Sequence, residues 1–180
     1  MQDNIILGTP YVPFQYSLKN IKLYLFVFAF TIGNVLLPMA IHTIPDGGKI
    51  FQPLLFFTLV AAYSEGFLAG VMVAIASPFF NYFLTGMPVL EMIPAVLFKS
   101  LLVACLAAYI SIHLRKINVI AIGLILIVMQ VLGGIFDYFI SGCNARAFHY
   151  MIIGFPGLIV MLAGGYAMLR FIASIRKERA

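Results

Sequence analysis

Six polar side chains fall inside otherwise apolar sequence: Asn34, Asn81, Glu91, Lys99, Gln130 and Asp137. Polar and ionisable groups at membrane depth are costly, and they are functional candidates by default. Lys99 is the strongest of the six. In a helix beginning at Pro88 it lies about 16 Å deep at 1.5 Å rise per residue. That is near the middle of a hydrocarbon core about 30 Å thick. A cation there costs about 2.5–3.5 kcal/mol on insertion. Side chains tilt toward a helix's amino terminus. The ammonium of a helix running inward therefore points toward the outer half. Two readings stand: Lys99 holds a ligand, or it pairs internally with Asp137 or Glu91.

Gln130 and Asp137 lie seven residues apart and share one helix face, with Gly133 and Gly134 between them. The glycines let a neighbouring helix or a ligand approach closely. The stripe serves a ligand or an interhelical hydrogen bond, worth about 0.6 kcal/mol on average. Asn81 is either a ligand contact or a helix-terminal cap. Asn34 sits mid-span and is expected to bond a neighbouring helix. Glu91 and Asp137 are near enough to the surface to be hydrated. Arg146 stands beside His149 at the start of the last apolar run, where it draws anions to a mouth or is merely solvated. Ala29 and Gly33 form a small-xxx-small pair, suited to close packing inside the chain or to docking on a partner membrane subunit.

No catalytic set can be assembled. A nucleophile elbow, a Walker motif and metal ligands at helical spacing are all missing from the sequence, and three separate histidines make no zinc site. An enzyme is not expected, and neither is a cofactor or a resident metal. Cys105 falls in an apolar run and Cys143 in a loop, so no disulfide is expected. Energy for moving a solute uphill must come from other subunits.

These side chains must be positioned by membrane helices. The 180 residues are 63% hydrophobic and 9% charged, against about 25% charged in soluble domains. A soluble fold of this size has too little interior for that apolar surface. The net charge of +5 is no nucleic-acid signal, because the positive residues sit at the ends of apolar runs. Apolar runs predict an all-α membrane protein of six transmembrane helices, over 18–42, 51–63, 66–84, 88–113, 118–140 and 147–175. Pro88 is suited to a helix start. Residues 1–17, with Pro10 and Pro13, read as an irregular cytoplasmic or interfacial tail, and 18–180 as one membrane domain. With six spans, Lys19, Lys22, Arg115, Lys116, Arg170, Arg176, Lys177 and Arg179 share one side, against Lys49 and Arg146 on the other. That bias puts both termini in the cytoplasm. The outer loops 42–50 and 141–146 contain Gly47-Gly48 and Ser141-Gly142, and are flexible enough to act as lids.

One block resembles a known family. The run Ser77-Pro78-Phe79-Phe80-Asn81-Tyr82-Phe83-Leu84-Thr85-Gly86-Met87-Pro88 is similar to the substrate-binding S component of energy-coupling factor (ECF) transporters. So are the glycine loop into Phe51-Gln52-Pro53, Gly66 and Gly70, Met92-Ile93-Pro94, and Ile153-Gly154-Phe155-Pro156-Gly157-Leu158. The resemblance implies high-affinity capture of a vitamin or related micronutrient at the outer face of the bacterial cytoplasmic membrane. It implies as partners a membrane coupling subunit and a pair of cytoplasmic ATPases. It gives Ala29 and Gly33 a docking role, and makes residues 47–53, with Phe51 and Gln52, a loop that closes over the ligand. The family often carries an acidic residue at the position of Lys99. A lysine there favours a carboxylate-bearing ligand, provided Asp137 leaves it free.

The substrate-binding set expected on this reading is Phe51, Gln52, Asn81, Glu91, Lys99, Gln130, Asp137 and Arg146. The alternative is a non-transport six-helix scaffold resembling a rod-shape-determining membrane subunit, in which Lys99 is only a buried ion pair.

Overall fold

The computed structural model describes residues 8–41, 47–144 and 146–177. Local sequence sets most helix ends. Asn20 accepts a hydrogen bond from the Lys22 N–H at 3.0 Å and so caps α1, Ile21–Ile41. A short helix α2, Gly47–Phe51, and a 3-10 turn, Pro53–Leu55, lead into α3, Phe56–Glu65. Helix α4, Phe67–Thr85, ends where Gly86 takes φ 71° and returns its N–H to the Tyr82 carbonyl, a conformation that favours glycine. Helix α5 covers Ile93–Leu114. Asn118 caps α6, Val119–Ile140, by accepting from the N–H groups of Ile120 and Ala121. Helices α7, Arg146–Ile153, and α8, Phe155–Lys177, complete the bundle.

Three boundaries differ from the sequence expectation. The fourth span starts as an α-helix at Ile93, after a 3-10 turn at Leu90–Met92, with Pro94 in its first turn. A second proline six residues on fits a helix start as well as Pro88 does, and its missing N–H costs nothing there. Lys99 is then only about 9 Å from the start of α5, not 16 Å. The last span is two helices interrupted at Gly154, because Pro156 has no N–H to bond the Ile152 carbonyl. The region read as a second span is shorter than a membrane crossing, at Pro53–Glu65, while five other helices are long and apolar enough to cross one.

That short segment is the axis of the fold. Every residue from Thr58 to Glu65 is buried, and α3 packs against α1, α4, α5 and α8. A helix enclosed by helices need not span lipid. Small residues allow the enclosure: a Cβ on Gly70 would fall 2.4 Å from the Ala62 Cβ. The large exposed apolar side chains, such as Phe28, Phe83, Ile127 and Phe171, lie on the outer helices, as expected of a surface that faces lipid.

One end of the bundle, here the near end, is closed by polar contacts. Residues 8–17 are irregular yet docked. Thr9–Pro10 (β1) pairs antiparallel with Lys116–Ile117 (β2), a two-residue ladder in an otherwise helical protein. Tyr11 is buried and donates to the Ser64 carbonyl at 3.1 Å. Burial pushes its phenol well above the usual value. Glu65, 1% exposed, pairs with Arg176 near the end of α8. Arg176 also bonds Tyr11 and the Ser64 carbonyl and stacks over Phe14. The amino-terminal segment, the α3–α4 junction and the end of α8 thus meet at one point.

Candidate functional site

The far half of the bundle holds the polar residues that could bind a ligand. Gln52 connects α2 to the 3-10 turn with φ 45° and ψ 48°, a left-handed conformation costly for a residue other than glycine. Its carboxamide Nε2 donates to Gln130 Oε1 at 3.1 Å, and Gln130 Nε2 donates to the Met151 carbonyl at 2.6 Å. One relay therefore ties the loop before α3 to the middle of α6 and to α7. Phe51 is half-buried, and its Cα would lie 2.7 Å from a Cβ on Gly157. The start of α8 can approach that loop only because residue 157 has no side chain.

Lys99 and Asp137 meet two turns farther out along α6. Lys99 Nζ lies 2.5 Å from Asp137 Oδ2, and each side chain is 18% exposed. The lysine stem crosses Gly133, where a Cβ would meet Lys99 Cε at 2.7 Å. Gly134 faces Met151 in the same way. The two glycines thus admit a neighbouring side chain and a neighbouring helix. Phe98 and Phe136 stack at 4.0 Å beside the pair.

Asn81 is 1% exposed and Ser100 fully buried. Neither Asn81 Oδ1 nor Ser100 Oγ has a hydrogen-bond partner. The cap of α4 is made by the backbone of Gly86, so the Asn81 side chain is not spent there. Asn34 is fully used: it donates to Thr58 Oγ1 at 3.1 Å and Ser77 Oγ at 2.9 Å, and accepts from the Phe57 N–H at 3.0 Å. It fastens α1 to α3 and α4 one turn below Asn81.

The remaining candidates stand apart. Glu91 is exposed in the turn before α5. Arg146 begins α7, but its side chain lies outside the described residues, as do residues 42–46 of the expected lid. Gly33 of the small-residue pair faces the Phe57 ring, within 3.0 Å of an added Cβ, so its close approach is made inside the chain; Ala29 is exposed. Sequence reading missed Ser100, which has no motif around it, and the Glu65–Arg176 pair, whose members are 111 residues apart. Among the described residues no group of three or more acidic, histidine or cysteine side chains could hold a metal.

Fold and composition together define an all-α, multi-pass membrane protein. No family model matches the chain, and neither a curated protein nor a solved structure gives a significant match.

Proposed function

We propose that the chain is a substrate-binding S component of an ECF-type transporter, which captures a vitamin or related micronutrient and relies on separate ATPase subunits for energy. The observation that carries this reading is the far-half polar band, in which a strained Gln52 from a glycine loop reaches Gln130 inside an apolar bundle. The strained backbone at Gln52 is the kind of conformation that clusters at ligand clamps. The resemblance of residues 77–88 supports the same reading. On it, the short Pro53–Glu65 segment counts as a sixth crossing, the near end with both termini faces the cytoplasm, and α1 presents Ala29 to the coupling subunit. The membrane is the bacterial cytoplasmic one.

The scaffold reading has one observation in its favour, the closed Lys99–Asp137 pair. Purification from native membranes separates the two. A transporter component yields a bound small molecule by native mass spectrometry and co-purifies with a coupling subunit and ATPases. A scaffold yields neither, and that result would sink the transport reading.

A further inference from the structure

Seven buried side-chain atoms among the described residues lack a hydrogen-bond partner, and four of them belong to the far half: Gln52 Oε1, Asn81 Oδ1, Ser100 Oγ and Asp137 Oδ1. They come from four different elements, so no single helix boundary explains them. Their levels match. Thr58 donates to the Leu54 carbonyl and is joined through Asn34 to Ser77. Asn81 is one turn farther out than Ser77 and therefore level with the 3-10 turn that follows Gln52. That turn packs on α1, α4 and α5. Gln52 is bonded to Gln130, and Asp137 and Lys99 lie two turns beyond. Ser100 follows Lys99 on α5, fully buried on a face turned about 100° from the lysine.

Three of the four atoms, all but the Ser100 hydroxyl, can only accept. A carboxamide oxygen and a carboxylate oxygen only accept, and a hydroxyl does either. Three of the donors nearby are committed: Gln52 Nε2 to Gln130, Gln130 Nε2 to Met151, and the Lys99 charge to Asp137. A buried acceptor without a donor is a penalty that the correct ligand removes and an acceptor-only ligand does not. A carboxylate ligand brings only acceptors, and the cation that would have drawn it is already neutralised.

We propose that this band binds an uncharged ligand group rich in N–H or O–H donors, such as a carboxamide, a ureido group or the amino edge of a heterocycle, and discriminates against carboxylates. The proposal rests on the reading of the chain as a solute-binding component, and it reverses the ligand charge that Lys99 suggests in the sequence.

The test uses the full chain purified in detergent. Small molecules are extracted from freshly purified protein and identified by mass spectrometry. Thermal unfolding is then measured with three matched pairs: nicotinamide and nicotinate, lipoamide and lipoate, panthenol and pantothenate. The expected extract is a neutral, donor-bearing molecule, and in any pair that binds, the neutral member binds about tenfold tighter or more. A carboxylate in the extract, or an acid that binds as well as its neutral partner, overturns the ligand class while leaving solute binding intact. An empty extract with no shift from any pair overturns solute binding as well.

Two variants separate ligand contact from structure. Asn81→Leu removes an unpaired acceptor with little change of volume, and Ser100→Ala removes the hydroxyl with no added bulk. Each is expected to lower the extracted occupancy about tenfold without lowering the melting temperature of the empty protein. A lower melting temperature with unchanged occupancy assigns these residues to packing and defeats the proposal.

Discussion

Lys99 and Asp137 neutralise each other between α5 and α6. The insertion cost of an isolated cation, about 2.5–3.5 kcal/mol at the bilayer centre, is thereby avoided. The pair lies near the helix ends and is partly open, so the penalty for breaking it is below that of a fully buried pair. Lys99→Met alone, or Asp137→Leu alone, is expected to destabilise the protein by about 2–3 kcal/mol. The double variant is expected to recover most of that loss, because two apolar side chains leave no stranded charge. Thermal unfolding of the four proteins of the cycle checks this. A double-variant loss equal to the sum of the two single losses would show that the contact contributes nothing.

At the scale of elements, α3 carries the fold because it is enclosed. Apolar burial does not drive helix association inside lipid, where tails are as apolar as leucine, so close packing must do it. Gly70 is where α4 packs closely on α3. Gly70→Ala places a Cβ 2.4 Å from the Ala62 Cβ, and the helices can relieve it only by separating. The expected loss is about 1–3 kcal/mol. Gly123 on α6 is the control: an added Cβ there meets only Leu162 Cδ1, at 3.9 Å. Gly123→Ala should stabilise by about 0.5–1 kcal/mol, since alanine is the better helix former. Opposite shifts in melting temperature are expected, and shifts of the same sign would contradict the packing assigned to α3 and α4. The near end adds a second constraint, since Glu65, Arg176 and Tyr11 join three segments far apart in the chain.

Across the whole molecule, the chain returns to the near end after α3, α5 and α8. This follows from the contacts of Tyr11 with Arg115, Tyr63 with Lys116, and Glu65 with Arg176. Cys143 is exposed beyond α6 at the opposite end, and Cys105 is exposed on an outer face of α5. In a Cys105→Ser background, a membrane-impermeant maleimide is expected to label Cys143 in intact cells. Ser17→Cys and Lys116→Cys, each made with Cys143→Ser as well, should label only after the cells are opened. Labelling of positions 17 and 116 from opposite sides would mean that the Pro53–Glu65 segment does not carry the chain across.

The sequence alone determined the class of protein and much of its punctuation. An apolar fraction of 63% leaves no soluble option, and Asn118, Gly86 and the apolar runs mark ends that depend only on neighbouring residues. It also picked out Asn81, Gln130, Lys99 and Asp137 as polar groups in the wrong solvent, while Gln52 came only from the family resemblance. The choice between Pro88 and Pro94 as the start of α5 was beyond it, because both prolines satisfy the same local rule. Partnership was decided only in three dimensions. Whether Lys99 is free or paired depends on a carboxylate 38 residues away, and the value of Glu65 depends on an arginine 111 residues away. The enclosure of α3 depends on four other helices at once. Helix caps and hydrophobic periodicity are properties of a few consecutive residues. Charge neutralisation and burial belong to the packed bundle, so one chain reading could name the polar residues without saying which of them remained unpaired.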